Sequence, residues 1–208
     1  MVYYMNEKTI LKYKSRRNNV RLVQNNAERY VVKSFSSEEN FKKEFKIYRM
    51  LQERDFPCAK VIMTYEKTLL LTELPGSNLV DCLEEQEKTG YAIWEIWEKL
   101  VGWLTALQKQ TGFVMTDLNL RNFLYDKKSK TLYGLDFEEC TTSDVITPAA
   151  SLAAFIRNYF PENTPLKQEI SKYVLDLFAQ NYGLEMDILL CESKKQETIL
   201  LERRKNRI

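Results

Sequence analysis

Three polar side chains lie among short apolar runs between residues 112 and 140. Asp117 and Asn122 are five residues apart and follow the strand-like run 113–115, whereas Asp136 follows a second short run at 133–135. Because a polar turn at 126–130 separates the two halves, we predict a small hairpin that brings the three side chains together. Carboxylate and amide oxygens are the ligands that Mg²⁺ prefers, so Asn122 and Asp136 are the candidate metal ligands.

Asp117 is then available for a different task. A carboxylate five residues before a metal-binding Asn can accept a proton from an attacking hydroxyl, because the loop between them turns both side chains into one cleft. We therefore predict that Asp117 is the catalytic base. The alternative is that Asp117 and Asp136 only cap turns, which is the usual role of aspartates in loops.

Two motifs in this segment resemble those of the protein-kinase-like phosphotransferases. The run DLNLRN at 117–122 is similar to the catalytic loop D-x-x-x-x-N, and DFE at 136–138 is similar to the metal-binding D-F-G. The resemblance implies an α+β fold with two lobes, an antiparallel sheet plus one helix in the N-lobe and a mainly helical C-lobe. It extends to aminoglycoside and choline kinases and to small atypical kinases of the KEOPS, RIO and lipopolysaccharide-kinase types, and it implies ATP and Mg²⁺ as cofactors.

A lysine on an apolar strand face is the next candidate. In the predicted strand at 30–35, period-two alternation places Val31, Lys33 and Phe35 on one face. An exposed lysine on an edge strand would also give this pattern. The resemblance implies instead that Lys33 holds the α and β phosphates of ATP and that Val31 touches adenine.

A glutamate on the apolar side of the following predicted helix supplies a partner for this lysine. The helix is predicted to begin at 36–39, where Ser36 and Glu39 have capping-box spacing. Glu44 shares the side of Phe41 and Tyr48, and a buried glutamate needs a cation. We therefore predict an ion pair with Lys33, similar to the strand-lysine to helix-glutamate pair of kinases.

A second predicted hairpin, 61–65 and 68–74, ends at the breaker Pro75-Gly76-Ser77. We place a hinge here, between an N-terminal nucleotide-binding lobe at 1–74 and a C-terminal lobe at 75–208 that carries the catalytic and metal-binding loops. The resemblance implies that the backbone of Glu73 and Leu74 binds the adenine edge. Helices are predicted at 91–110, with its tryptophans in the core, at 147–160 and at 166–182.

The chain departs from the family pattern at several positions. The first 75 residues contain no glycine, so the loop expected over the phosphates, 15–19, would depend on left-handed asparagines and on arginines that fork onto phosphate oxygens. Met115 stands where the family usually has His, Glu138 where D-F-G ends in Gly, and Asn119 where Ser/Thr kinases have Lys. The last two changes favour a small-molecule or atypical kinase.

Composition excludes several other classes of function. The 208 residues have a net charge of +2 and contain no histidine, which excludes Ser-His and Cys-His catalysis, and the four dispersed cysteines argue against zinc. No signal peptide or membrane span is visible, so we expect a cytoplasmic protein with reduced cysteines. The basic tail at 203–207 is predicted to be a solvated end, or otherwise a contact for RNA, phosphate or an acidic protein.

The leading hypothesis is an ATP- and Mg²⁺-dependent kinase that phosphorylates a hydroxyl of a small molecule or sugar. One alternative is an atypical protein kinase or ATPase that acts in a complex. Another is a regulatory pseudokinase that binds a protein partner and transfers no phosphate.

Overall fold

The computed structural model describes residues 8–205, and these residues form two compact units. The first unit comprises the described residues up to Pro75 together with Tyr133–Glu138. The second comprises Gly76–Leu132 and the described residues from Glu139 onward. The D-F-E segment thus belongs to the first unit, although the catalytic-loop motif belongs to the second.

The first unit is built on an antiparallel sheet of five strands in the order β1-β2-β3-β5-β4. A small apolar cluster of Val23, Val32 and Leu70 fills one face of its central strands. By period-two alternation, Val32 lies on the face of β3 opposite the predicted face of Val31, Lys33 and Phe35. The strands are β1 Lys8–Tyr13, β2 Asn19–Asn25, β3 Glu28–Ser34, β4 Val61–Tyr65 and β5 Thr68–Thr72.

Helix α1, Glu38–Gln52, follows β3 and carries the predicted glutamate on its buried face. Its N-cap is Ser37, whose side chain accepts a hydrogen bond from the backbone N–H of Asn40. The prediction that Ser36 caps this helix is wrong by one residue, because two adjacent serines offer the same chemistry and only the backbone turn decides between them. The buried face consists of Phe41, Glu44, Ile47, Tyr48 and Leu51.

The second unit is mainly helical, with short strands around the catalytic loop. Helix α4 packs against both α5 and α6, and α3 packs against α5. The helices are α2 Leu79–Thr89, α3 Trp94–Thr111, α4 Ile146–Asn158, α5 Pro165–Tyr182 and α6 Met186–Lys205. The strands within this unit are β6 Ser77–Asn78, β7 Val114–Met115, β8 Phe123–Asp126 and β10 Cys140–Thr141. Strand β9, Thr131–Gly134, begins in this unit and ends in the first, and the sheets have the orders β6-β8-β9 and β10-β7.

Two helices of this unit, α2 and α6, were not predicted from the sequence. Helix α2 follows a Pro-Gly breaker, and α6 has so mixed a polarity that only Leu189 and Ser193 are buried. Trp97 is fully buried as predicted, but Trp94 is 39% exposed and packs edge-on against Tyr173, so placing every tryptophan of α3 in the core is wrong. None of the described helices combines the length and apolarity needed to span a membrane.

The basic segment near the C-terminus is in large part the last turn of α6. Arg204 donates to the carbonyl of Asn158 at 2.7 Å and pairs with Glu162 at 2.9 Å. The expectation of a solvated end is therefore wrong for Arg204. Asn206 and Arg207 lie outside the described residues, and contact of this segment with RNA or protein stays a prediction.

Gly76, at the start of the second unit, offers a direct test of the fold. Its φ is +109°, and a Cβ there would lie 2.6 Å from the carbonyl oxygen of Tyr125. We expect Gly76→Ala to lower the free energy of unfolding by about 2–4 kcal/mol, measured by urea denaturation.

Gly102 in α3 is the matched control, because a Cβ built there meets no atom of the described residues within 4 Å apart from its chain neighbours and the adjacent helix backbone. Gly102→Ala should be neutral or stabilise the protein by up to about 1 kcal/mol, since alanine favours helix. Equal effects of the two substitutions would contradict the close approach of Gly76 to β8.

Candidate active site

Lys33 is the centre of the polar cluster in the first unit. It lies on β3 opposite Leu69 of β5, and only 6% of it is exposed. Its Nζ donates to Oε2 of Glu44 at 2.6 Å and to Oδ1 of Asp136 at 2.8 Å. The predicted ion pair with Glu44 is therefore present, and Lys33 is buried rather than an exposed edge residue.

The charges of this cluster depend on one another. Burial alone lowers the pKa of Lys33, but the negative charges of Glu44 and Asp136 outweigh burial and raise that pKa above its ordinary value. Burial raises the pKa of Glu44 to about 7, against the opposing pull of Lys33. Oε1 of Glu44 is buried without any hydrogen-bond partner in the part of the chain that the structure describes. The raised pKa of Lys33 favours its charged form, which holds Glu44 in place.

Asp136 is presented by an unusual backbone conformation. Its φ is +62°, in the left-handed region, and its side chain is 39% exposed. The next residue, Phe137, is fully buried and packs edge-on against Tyr48 of α1, with ring centroids 4.8 Å apart. Burial of the phenylalanine ring therefore fixes the turn that directs the aspartate toward Lys33.

Glu138 joins this cluster although sequence analysis gave it no role. It is 8% exposed, and its Oε2 accepts a hydrogen bond from Nδ2 of Asn18 at 2.9 Å. Arg17 lies 3.8 Å from its other oxygen. The expectation that asparagines of the 15–19 loop adopt left-handed conformations is wrong, because Asn18 and Asn19 are not among the described residues with positive φ. Asn18 contributes its side chain instead.

The residues expected to contact adenine lie in the middle of β3 and just after the end of β5. Val31 of β3 is half-buried between Leu22 and Leu71 in the sheet register. Glu73 and Leu74 follow the end of β5, and Glu73 pairs with Arg29 at 2.7 Å. Contact of Val31, Glu73 and Leu74 with adenine stays a prediction.

Asp117 and Asn122 lie together in the second unit. Nδ2 of Asn122 donates to the backbone carbonyl of Asp117 at 3.1 Å and to its Oδ2 at 3.4 Å. The pairing of β7 with β10 holds the start of this loop, and the hydroxyl of Thr116 donates to the carbonyl of Glu139 at 2.6 Å. The loop thus directs both predicted side chains into one short turn, with Asp117 exposed.

Tyr159 supports the same loop and was missed by sequence analysis. Its hydroxyl donates to Oδ1 of Asn119 at 3.2 Å, and the guanidinium of Arg121 lies 5.9 Å from the centre of its ring. Tyr159 also lines a cavity of about 410 Å³ between α2 and the segment that joins α4 to α5. No motif contains this residue, which lies forty positions after Asn119, so only the three-dimensional structure reveals the contact.

The donor atoms fit a hard cation such as Mg²⁺. Carboxyl oxygens of Glu44, Asp136 and Glu138 lie within 4.8 Å of one another in the first unit. In the second unit, Asn122 uses its amide nitrogen to bind Asp117, so its amide oxygen remains suited to a metal. Oxygen ligands of this kind suit magnesium better than zinc or copper.

The chain also matches a known protein family. Residues 2–151 match the model of the RIO domain. The chain belongs to the RIO-domain family of atypical protein kinases. The match includes every residue proposed from the two motifs, together with Lys33 and Glu44.

Two solved structures share the fold of this RIO-domain chain. The kinase PK-1 of Cydia pomonella granulovirus is 20% identical, with a TM-score of 0.53 over 65% of this chain and 54% of that one. WbdD, crystallised with the kinase inhibitor LY294002, is also 20% identical, with a TM-score of 0.55 over 93% of this chain and 53% of that one. The chain therefore covers about half the length of either protein. No curated protein sequence matches it.

Both similarities confirm the predicted α+β kinase-like fold, with an antiparallel sheet and one helix in the first unit and a mainly helical second unit. The RIO-domain match confirms the resemblance to protein-kinase-like phosphotransferases.

The dependence of Glu44 on Lys33 gives a prediction about pH. The folded-state pKa of Glu44 is raised to about 7, so the folded protein binds a proton that the unfolded chain has already released. Stability from this group is present at low pH and is lost as the pH rises toward that value. Lys33→Met removes the opposing positive charge and raises the pKa further, so the loss should continue above pH 7, at up to about 1.4 kcal/mol per pH unit.

Denaturant unfolding between about pH 5 and pH 9 measures this effect. Lys33→Met/Glu44→Leu is the control, since it removes the titrating carboxyl and should abolish the additional pH dependence. Identical profiles for the single and double variants would show that Glu44 is not the group responsible.

Proposed function

We propose that this RIO-domain chain is a kinase that transfers the γ-phosphate of ATP to a hydroxyl group with the help of Mg²⁺. The observation that carries the proposal is the buried Lys33, held by Glu44 of α1 and Asp136 of the D-F-E segment. The buried ammonium group of Lys33 lies beside the partly exposed Asp136. A cation and a carboxylate placed in this way suit the binding of a polyphosphate and its metal ion.

Each residue of the first unit has a distinct part in this proposal. Lys33 binds the α and β phosphates, and Glu44 keeps the ammonium group in position. Val31 packs against adenine, and the backbone at Glu73 and Leu74 binds its polar edge. The burial of Glu44 and its short contact with Lys33 support this assignment, since a free lysine side chain would sample many rotamers and bind phosphate more weakly.

Bound Mg²⁺, with Asn122 and Asp136 as its protein ligands, would neutralise charge on the transferred phosphoryl group. Asp117 orients the acceptor hydroxyl and accepts its proton as the oxygen attacks. The hydrogen bonds from Asn122 to Asp117 support this division of roles, because they keep the metal ligand and the base in a fixed mutual orientation.

The cavity beside Tyr159 favours a small molecule or a single side chain as the acceptor. Its volume of about 410 Å³ is within the range of small-ligand sites. Tyr159 in the cavity wall donates a hydrogen bond to Asn119 of the catalytic loop, so the cavity adjoins a residue that contacts this loop.

A protein acceptor is the second candidate, and membership of a family of atypical protein kinases favours it. Incubation with labelled ATP and two separate panels, one of sugars and amino alcohols and one of Ser- and Thr-containing peptides, distinguishes the two. Label in the first panel alone supports the small-molecule proposal, and label in the second alone supports the protein kinase.

Nucleotide binding can be tested without knowledge of the acceptor. At ATP about 100 times above its dissociation constant, binding adds about 2.7 kcal/mol and should raise the melting temperature by roughly 5 to 10 °C. We expect a Mg²⁺-dependent shift in the wild type and its loss in Asp136→Ala. A folded wild-type protein with no shift for any nucleotide would instead favour a regulatory pseudokinase.

Asp117→Asn tests the catalytic base separately. The change keeps the shape of the side chain but removes its ability to accept a proton, so the rate of transfer should fall by about 10²- to 10⁴-fold. The melting-temperature shift with Mg²⁺ and ATP should be preserved. A loss of binding equal to that of Asp136→Ala would contradict the assignment of Asp117 as the base.

A further inference from the structure

The loop between β1 and β2, residues 14–18, has no glycine and is held by side chains instead. Asn18 makes three hydrogen bonds in this region. Its Nδ2 donates to Oε2 of Glu138 at 2.9 Å, its backbone N–H donates to the hydroxyl of Ser15 at 3.2 Å, and its Oδ1 accepts from the backbone N–H of Ser36 at 3.4 Å. Asn18 thus connects the loop, the start of α1 and the D-F-E segment.

The contact with Asn18 stabilises the buried carboxyl group of Glu138 as well as the loop. It is 8% exposed and lies in a group of three carboxyls whose oxygens are within 4.8 Å of one another. A buried carboxylate beside like charges needs hydrogen-bond donors, and opening the loop would remove the amide of Asn18 from it. Arg17 is 60% exposed and 3.8 Å away, so it contributes less than the buried hydrogen bond.

We propose that Glu138 is a positioning residue that fixes the 14–18 loop through Asn18, so that a side-chain contact replaces the glycine-based loop of the family pattern. The final residue of D-F-E then has a function that a glycine at this position does not have. Glu138 belongs to the metal-binding segment and orders the 14–18 loop. This loop is expected to lie over the nucleotide phosphates. This last consequence rests on the proposed function, whereas the order of the loop does not.

Limited proteolysis with trypsin tests the contact without any nucleotide, because Lys14, Arg16 and Arg17 are cleavage sites within the loop. Cleavage of a loop that opens and closes rapidly follows the population of its open form. Asn18→Ala should accelerate cleavage at these sites by roughly tenfold, the effect of one hydrogen bond to a charged group. Asn19→Ala is the matched control, since Asn19 is exposed and lies one residue further along at the start of β2.

Variants of Glu138 distinguish the proposed contact from a general loosening. Glu138→Gly should accelerate cleavage as much as Asn18→Ala does, and the double variant should be cleaved no faster than either single variant, because both remove the same contact. Glu138→Gln keeps an oxygen acceptor for Asn18 and should restore most of the protection. Cleavage of Asn18→Ala at the rate of Asn19→Ala, or multiplied effects in the double variant, would overturn the proposal.

Steady-state kinetics then test the link to the nucleotide. Asn18→Ala should raise the KM for ATP by roughly tenfold with a smaller change in kcat, since the loop contributes to binding before it contributes to chemistry. Glu138→Gln should lie between the wild type and Glu138→Gly. Faster proteolysis with an unchanged KM would overturn the role in nucleotide positioning, whereas a wild-type protein without turnover would contradict the proposed function and leave the proteolysis result intact.

Discussion

The ion pair between Lys33 and Glu44 is the interaction on which the first unit depends. Removing both charges from water is costly, and the short contact with Lys33 offsets only part of that cost, since burial still raises the pKa of Glu44 to about 7. Strand β3 supplies the lysine, α1 supplies the glutamate, and packing of Phe137 against Tyr48 fixes the third charge, Asp136, beside them. Sheet, helix and D-F-E segment are therefore required together to place one ammonium group.

Much of this arrangement could be predicted from the sequence, because it follows from local patterns. Alternation along β3 placed Lys33 on an apolar face, and the helical repeat of α1 placed Glu44 on the buried side. Since a buried charge requires an opposite charge, the partner followed from elementary electrostatics. The motifs DLNLRN and DFE have fixed internal spacing and therefore indicated the kinase-like fold from a short part of the chain.

The features that the sequence did not predict arise from contacts between distant residues. Tyr159 binds Asn119 forty positions away, and Asn18 binds Glu138 across 120 positions, so no local pattern contains either contact.

The cap of α1 was displaced by one residue because Ser36 and Ser37 have the same side chain. Helix α6 was missed because its apolar residues do not form one continuous face, as only Leu189 and Ser193 are buried.

Helix α4 ends at Asn158. The carbonyl of this residue accepts a hydrogen bond from the guanidinium of Arg204, in the last turn of α6. The last carbonyls of a helix have no partner within the helix, so α6 supplies a cap for α4 from 46 residues away. The last turn of α6 therefore contributes to satisfying the end of α4. Because Tyr159 directly follows Asn158, this cap lies one residue from the side chain that binds Asn119 of the catalytic loop.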